Sequence, residues 1–372
     1  MSPVSIFLVA GARPNFMKVA PVYKALAASE KFSVILVHTG QHYDEGLSDV
    51  FFRDLDLPRP DIILAVGSGS HGVQTARILE PFEKAVVEGE PDLVVVVGDV
   101  NSTIACALAA AKIVYSSGRR PKVAHVEAGL RSFDRTMPEE INRVLTDAIS
   151  DFLFTTEESA NVNLTREGIP EHRIFFVGNV IIDTLMEHAH RAAALRAWEA
   201  LGLKDQSYSV LTLHRPSNVD DSQTLANLFE MLRKVGSRIP VVFPAHPRTV
   251  NRARDFGLLA AMNDHGGLRV TPPMGYVEFL SLMSHARLVL TDSGGIQEET
   301  TILGIPCLTL RENTERPVTV TQGTNTLVGT NPQNILDTVD RILAGEVKVA
   351  NPPALWDGKA AQRIVQVLEK CF

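Results

Sequence analysis

The sequence has no surplus of positive charge. Its 36 Lys and Arg stand against 43 Asp and Glu, a formal net charge of −7 with a pI near 5.9. Nucleic acids and anionic membrane surfaces need a broad positive field, so no nucleic-acid partner is expected, and an anionic ligand would have to be held by local groups. No apolar run reaches transmembrane length, so no membrane insertion is expected. The apolar stretch VSIFLVAGA near the N-terminus lacks a basic flank and reads as a buried strand rather than a signal peptide. Cysteines are few: Cys106, Cys307 and Cys371, odd in number and without CxxC or metal-site spacing. That excludes a disulfide scaffold and fits a reducing, cytoplasmic setting. No glycine-rich dinucleotide fingerprint follows the first strand, and HExxH and cysteine clusters are missing. Neither a dinucleotide cofactor nor a metal is indicated; the expectation is none of either.

What is present is an ordinary globular composition, 45% hydrophobic and 21% charged, over 372 residues. That length suggests two domains. Short apolar runs alternate with longer helical patterns: SIFLVA (5–10), SVILVHT (33–39), DLVVVVG (92–98), KVAHVE (122–127), FLFTT (152–156) and RIFFVG (173–178). After a helical and polar stretch the pattern restarts with SVLTLH (209–214), IPVVFPAH (239–246), LRVTPP (268–273), RLVLTD (287–292), IPCLTL (305–310) and NTLVG (325–329). Unbroken apolar runs such as LVVVV point to strands buried on both faces, as in parallel sheets covered by helices. The expected class is α/β, with two doubly wound Rossmann-like domains facing a central cleft. The expected boundaries are 1–178 and 179–357, with the last helix, 358–372, returning to the first domain. Ligands of such sheets bind beyond the carboxyl ends of the strands, so the strand ends carry the functional reading.

Those ends are polar. In the second half, Ser293, Gly294 and Gly295 open a helix, where free N–H groups and the helix dipole favour phosphate. Alone, this pattern is as well explained by helix capping. His214, Arg215, His246 and Arg248 at neighbouring strand ends turn it toward a diphosphate pocket. In the first half, Asp99, Glu127 and Glu139 lie at or just after strand ends. Each has a structural alternative: Asp99 as a cap of a helix starting near Thr103, Glu127 as a partner of Arg131, Glu139 as a helix-dipole complement. Three carboxylates at the mouth of one sheet suggest acid/base chemistry, with their charges raising one another's pKa and Arg13, Lys18, Arg131 and Arg143 balancing them.

Taken together, GARPNFMKVAPV, TGQHYD, GDVNSTIACALAAAK, HVEAGLRSFDRTMPEEINRVLTD, VGNVIID, LTLHRPSNVDD, AHPRT and LTDSGGIQEETTILGIPCLTLRENTERP resemble the non-hydrolysing UDP-N-acetylglucosamine 2-epimerases, from Ile6 to about Gly329. The resemblance implies the two-domain GT-B fold, interconversion of UDP-N-acetylglucosamine and UDP-N-acetylmannosamine without NAD or a required metal, a homodimer, and service to surface-polysaccharide synthesis. It also implies the roles of residues. Asp99, Glu127 and Glu139 match the catalytic carboxylates, and His214 the histidine that helps the diphosphate leave. Ser293, Gly294 and Gly295 match the pyrophosphate-binding helix start, and Glu299 the holder of the ribose hydroxyls. Arg13 and Lys18 match basic residues at the nucleotide and active-site side, and Arg131, Arg215, His246 and Arg316 join the substrate-binding set. Glu298 is left to helix-start electrostatics.

Two departures bear on the substrate. The chain reads HRPSN where many bacterial members read HRREN, and its segment between EAGLR and PEE is shorter. The shorter segment also occurs in relatives that act on UDP-2,3-diacetamido-2,3-dideoxy-uronic acid derivatives, while TERP at 314–317 favours the N-acetylglucosamine enzyme. Gln41 and His42 match the start of the second-substrate site by which some members are activated; the residues around Asp44 and GSGSHG do not. A retaining GT-B glycosyltransferase and a non-catalytic UDP-sugar sensor are the alternatives of other classes.

Overall fold

The computed structural model describes residues 3–11, 13–40, 52–262 and 267–372. Its contacts group the chain into two units, Met1–Glu187 with Ala354–Phe372, and His188–Pro353. These limits differ by a few residues from the boundaries read at 178/179 and 357/358. The helix Val180–Leu195 is continuous through the first change-over, so nothing local marks where its packing partners change.

The first unit is built on a seven-stranded sheet in the order β3-β2-β1-β4-β5-β6-β7. Its strands are β1 Val4–Ala10, β2 Phe32–His38, β3 Ile62–Ile63, β4 Leu93–Val97, β5 Lys122–Ala128, β6 Phe152–Thr155 and β7 Ile174–Phe176. All neighbours pair in parallel. Parallel pairing requires crossovers, and the crossover helices cover both faces; β4, LVVVV, is accordingly buried along its whole length. The helix His71–Gly89 contributes Ile78, Phe82 and Val86, four residues apart, to a core shared with Phe7, Val9, Val94 and Val96. The Ala-rich helix Asn101–Lys112 is buried on nearly every side, which its small side chains allow. The helix Ala360–Cys371 belongs to this unit. Its first amides, Ala360 and Ala361, donate to Asp183 at 3.1 and 2.7 Å, and Trp356 just before it donates to the Thr156 carbonyl at 2.8 Å.

The second unit has a six-stranded parallel sheet, β10-β9-β8-β11-β12-β13. The strands are β8 Ser209–Thr212, β9 Val241–Pro244, β10 Leu268–Thr271, β11 Leu288–Thr291, β12 Cys307–Thr309 and β13 Asn325–Leu327. Leu225, Leu228, Phe229, Leu232 and Val235 of the helix Ser222–Gly236 pack into one core with Leu211, Phe243, Leu290 and Leu308. Both units are thus doubly wound α/β sheets of the Rossmann-like type. Every strand expected from the sequence is present; among the described residues only β3 was missed. Two residues, one of them half-exposed, are too few to show a pattern.

In each sheet the chain reverses its direction of spread once, between β1 and β4 and between β8 and β11. A crevice opens beyond the carboxyl ends at such a switch point, and the candidate residues cluster at these two places.

Candidate active site

At the first switch point, β4 ends in Gly98, whose φ is +69°. A Cβ there would stand 3.3 Å from Asn15 Nδ2, 3.5 Å from Lys18 Nζ and 3.8 Å from Glu127 Oε2, so glycine forms the floor on which these groups rest. Asn15, in the helix Arg13–Ala27, donates to the Val97 carbonyl at 2.6 Å and ties that helix to β4. Lys18, one turn in from the helix start, forms a buried ion pair with Glu127. Glu127 therefore pairs with Lys18 and not with Arg131. Its backbone is unusual as well: φ is +74°, the only positive value on a non-glycine strand residue among the described residues. It is the extra residue of a bulge, where the β5–β6 register slips between Val126 and Ala128.

Asp99 is half-buried and bonded to Arg143 Nη1 at 2.5 Å. It does not cap a helix: the helix Asn101–Lys112 starts from Val100 without a side-chain cap. Glu139 and Glu140 share the first turn of the helix Pro138–Ile149 but have opposite fates. Glu140 is buried, bonded to Arg143 and to the amides of Ser132 and Phe133 at 3.0 and 2.9 Å. Burial pushes its carboxyl up, but the Ser132 amide, the Arg143 guanidinium and the Phe133 amide outweigh this and hold it below the usual range. Glu139 is half-buried and has no hydrogen-bond or ion-pair partner among the described residues. Two of the three carboxylates thus have a cation as immediate neighbour, rather than one another.

This helix is inverted. Glu140, Asn142, Arg143, Thr146 and Asp147 face inward, while Ile141, Val144 and Leu145 are exposed. Arg131 is not brought to the Lys18–Glu127 pair; its guanidinium is buried against Asp147 at 2.7 Å and Glu167 at 2.6 Å.

At the second switch point Asp292, fully buried at the end of β11, is the hub. Its Oδ2 accepts from the amides of His214 and Arg215 at 2.9 and 2.8 Å and from Asn218 Nδ2 at 3.3 Å. Its Oδ1 lies 3.3 Å from His214 Nδ1, and its carbonyl accepts from Arg215 Nε at 3.0 Å. The Oδ1–Nδ1 approach makes no hydrogen bond, so Asp292 holds His214 through its backbone amide rather than through its ring. His246 lies near that ring, the two tilted and their centroids 5.4 Å apart, and its Nδ1 accepts from the Arg248 amide. The helix Gly294–Leu303 starts from Ser293 with no side-chain cap, leaving first-turn N–H groups available.

Behind that helix lies a buried charge cluster. Arg316 bonds Glu298 and Glu315, each at 2.7 Å, and Glu315 also takes Arg311 at 2.8 Å and Arg215 at 3.3 Å. Glu298 is therefore a buried ion-pair partner and not merely a helix-start charge, and Arg316 is buried in the same cluster. Gly294 is required by this packing, since a Cβ would come within 2.6 Å of Arg316 Nη1. Glu299 is buried and accepts from the Tyr276 hydroxyl at 2.9 Å. Burial pushes it up to about 7, against the Tyr276 hydrogen bond and with the help of Glu298's charge.

The first sheet thus pairs Lys18 with Glu127 and Asp99 with Arg143, while Glu139 makes no hydrogen bond or ion pair with them. The second brings His214 and His246 together beside the helix start at Ser293 to Gly295, with Arg215 held at Asp292. Arg13 opens its helix, but its side chain lies outside the described residues, as do Gln41, His42 and Asp44. The residues missed from sequence are the supports Asp292, Asp147, His125, Tyr276 and Glu315. Asp292 stands in the same strand-end motif as Ser293 and was open to the same reading; the others are joined only by folding. Among the described residues no three His, Cys, Asp or Glu side chains form a group that could hold a metal, and no helix is long and apolar enough to cross a membrane.

Known proteins share this sequence and structure. The family model described as UDP-N-acetylglucosamine 2-epimerase matches residues 24–369. The chain is 43% identical to a UDP-N-acetylglucosamine 2-epimerase of Methanocaldococcus jannaschii, over 98% of this chain and 99% of that one. It is 40% identical to a UDP-2,3-diacetamido-2,3-dideoxy-D-glucuronate 2-epimerase of Pseudomonas aeruginosa, over 99% of this chain and all (100%) of that one. The crystal structure of a Methanocaldococcus jannaschii UDP-GlcNAc 2-epimerase in complex with UDP-GlcNAc and UDP superposes with a TM-score of 0.91 at 43% identity, covering 99% of this chain and 100% of that one. The chain belongs to the UDP-N-acetylglucosamine 2-epimerase family.

Proposed function

We propose that this protein inverts C2 of UDP-N-acetylglucosamine to give UDP-N-acetylmannosamine. The observation that carries the reading is the division of chemistry between the two switch points. One pairs Glu127 with Lys18 and Asp99 with Arg143, and Glu139 opens the helix that carries Arg143. The other offers an uncapped helix start beside His214 and Arg215.

The C2 hydrogen has no adjacent carbonyl and is not acidic, so the C1–O bond must break first or in concert. The C1–O electron pair leaves with UDP, the C2 proton passes to a carboxylate, and 2-acetamidoglucal remains. A proton then adds to the opposite face of C2, and UDP returns to C1. Two faces call for two proton-carrying groups, which the carboxylates of the first unit supply. The departing diphosphate calls for N–H and cationic stabilisation, which Ser293 to Gly295, His214 and Arg215 supply. Glu299 takes the ribose hydroxyls. Arg316 and Arg131 act from behind, through the buried groups they hold in place.

Incubation in heavy water tests this: solvent deuterium should appear at C2 of the recovered UDP-sugar. Enzyme that binds UDP-N-acetylglucosamine and returns it unlabelled would end the proposal. The relative at 40% identity that epimerises the diacetamido-glucuronate sugar supports a second reading with the same chemistry, separated by comparing turnover of the two UDP-sugars. A retaining glycosyltransferase would consume the UDP-sugar only with an acceptor present. The reading extends to a cytoplasmic homodimer supplying an activated mannosamine for surface polysaccharide. The exposed stripe of Ile141, Val144 and Leu145 supports the dimer, since an inverted helix buries that face only against a partner. Light scattering of the purified protein decides its mass.

A further inference from the structure

We propose that Asp147 is a positioning residue that holds Glu127 in its strained backbone conformation and so aims the Lys18–Glu127 pair. The proposal rests on the epimerase reading above for its assay. The geometry is a bracket around one residue. Asp147 reaches from the helix Pro138–Ile149 to both sides of the bulge: Oδ1 meets His125 Nδ1 at 2.6 Å, and Oδ2 accepts from the Gly129 amide at 3.0 Å. His125 and Gly129 are two residues before and two after Glu127.

The bracket is itself anchored. His125 Nε2 lies 2.8 Å from the Gly98 carbonyl, the residue that floors the Lys18–Glu127 pair. Both ring nitrogens thus face oxygens, Asp147 Oδ1 and the Gly98 carbonyl. Arg131 Nη2 holds Asp147 Oδ2 at 2.7 Å and is fixed in turn by Glu167 and by the Leu130 carbonyl. His125, Arg131 and Asp147 are all buried, His125 and Asp147 completely. Burial alone would raise the Asp147 carboxyl, but the charges and hydrogen bonds of His125 and Arg131 hold it below its usual range.

A non-glycine residue at positive φ persists only where its surroundings over-determine it. Among the groups at this bulge, one carboxylate supplies the hydrogen bonds on both sides. Gly129 completes the constraint: its φ is +79°, and a Cβ there would meet the Ala160 carbonyl oxygen at 2.6 Å. Without Asp147 the bulge relaxes, and the Glu127 carboxylate leaves the place where it meets Lys18. Misplacement of this order costs about 100-fold in rate.

The test compares wild type with Asp147→Asn and His125→Gln as purified full chains. C2 deuterium exchange, kcat, KM, UDP affinity and melting temperature are measured for each. A positioning role predicts that kcat falls about 100-fold in Asp147→Asn, while KM and UDP affinity stay within about threefold. His125→Gln, which removes one arm of the bracket, should give a smaller loss of the same kind. A folded Asp147→Asn protein with kcat within about threefold of wild type overturns the proposal, whatever its melting temperature. If wild type exchanges no deuterium, the epimerase reading fails; if wild type exchanges and Asp147→Asn exchanges equally fast, only the bracket fails. Should Asp147→Asn not fold, Glu127→Gly against Glu127→Ala decides. Glycine should melt higher than alanine, because it adopts positive φ without penalty; equal melting means the bulge stores no strain, and the proposal falls.

Discussion

The two switch points solve different problems with the same device. In each, a fully buried aspartate joins segments that the sequence keeps far apart: Asp147 ties a helix to the bulge at Glu127, and Asp292 ties the end of β11 to the amides of His214 and Arg215. What they present differs. The first presents side chains, held by cations and by a strained backbone; the second presents main-chain N–H groups at an uncapped helix start. Moving protons between two faces of a carbon requires groups that change charge, which only side chains do. Holding a diphosphate requires fixed dipoles, which the backbone provides without titrating.

The largest effects that could break this comparison are expected in the first unit. Asp99→Asn, Glu127→Gln and Glu139→Gln should each lower kcat by about 10²–10⁴-fold while UDP affinity remains measurable by calorimetry. Full activity in all three would remove the acid/base assignment. In the second unit, His214→Ala should slow turnover by a smaller factor, about 10²-fold, and Asp292→Asn should share that loss by loosening the His214 and Arg215 amides. If Asp292→Asn keeps the wild-type rate, the histidine does not depend on its buried partner.

Gly294→Ala should act on binding before rate, because its Cβ falls within 2.6 Å of Arg316 Nη1. A weaker UDP affinity with a stability loss of about 1–3 kcal/mol is expected, read by calorimetry and thermal melts. The mildest prediction concerns pH. Glu299 is pushed up to about 7 by burial, against an ordinary value of 4.5. The folded state thus favours the protonated form, and its stability falls as pH rises from the ordinary carboxylate range through about 7. Glu299→Gln removes that slope, so the variant should gain melting temperature relative to wild type at pH 8 and not at pH 4, while binding UDP less tightly. A variant that binds UDP normally but no longer turns over would contradict a ribose role.

Much of this was legible in the sequence because it is local. Strands such as LVVVV announce burial on both faces, and motifs at strand ends fall at the sheet's carboxyl edge by construction. The candidates proposed for the chemistry, Asp99, Glu127, Glu139, His214 and Ser293 to Gly295, were read this way. The supports were not, because their partners are remote: His125 lies 22 residues from Asp147, and His214 lies 78 from Asp292. Glu139 and Glu140 show the limit well. Adjacent and identical in kind, they are separated only by which side of a helix faces the interior, and the usual rule would have read this helix backwards, since its apolar stripe points outward.

The Gly129 amide, bonded to Asp147 at 3.0 Å, carries one further consequence. Its proton can leave for solvent only when the bulge opens, so its rate of replacement by deuterium reports the free energy of that opening. The heavy water that labels the sugar at C2 would label this amide in the same tube. One solvent therefore reads two quantities, the rate of the reaction and the free energy with which the scaffold holds the bulge closed.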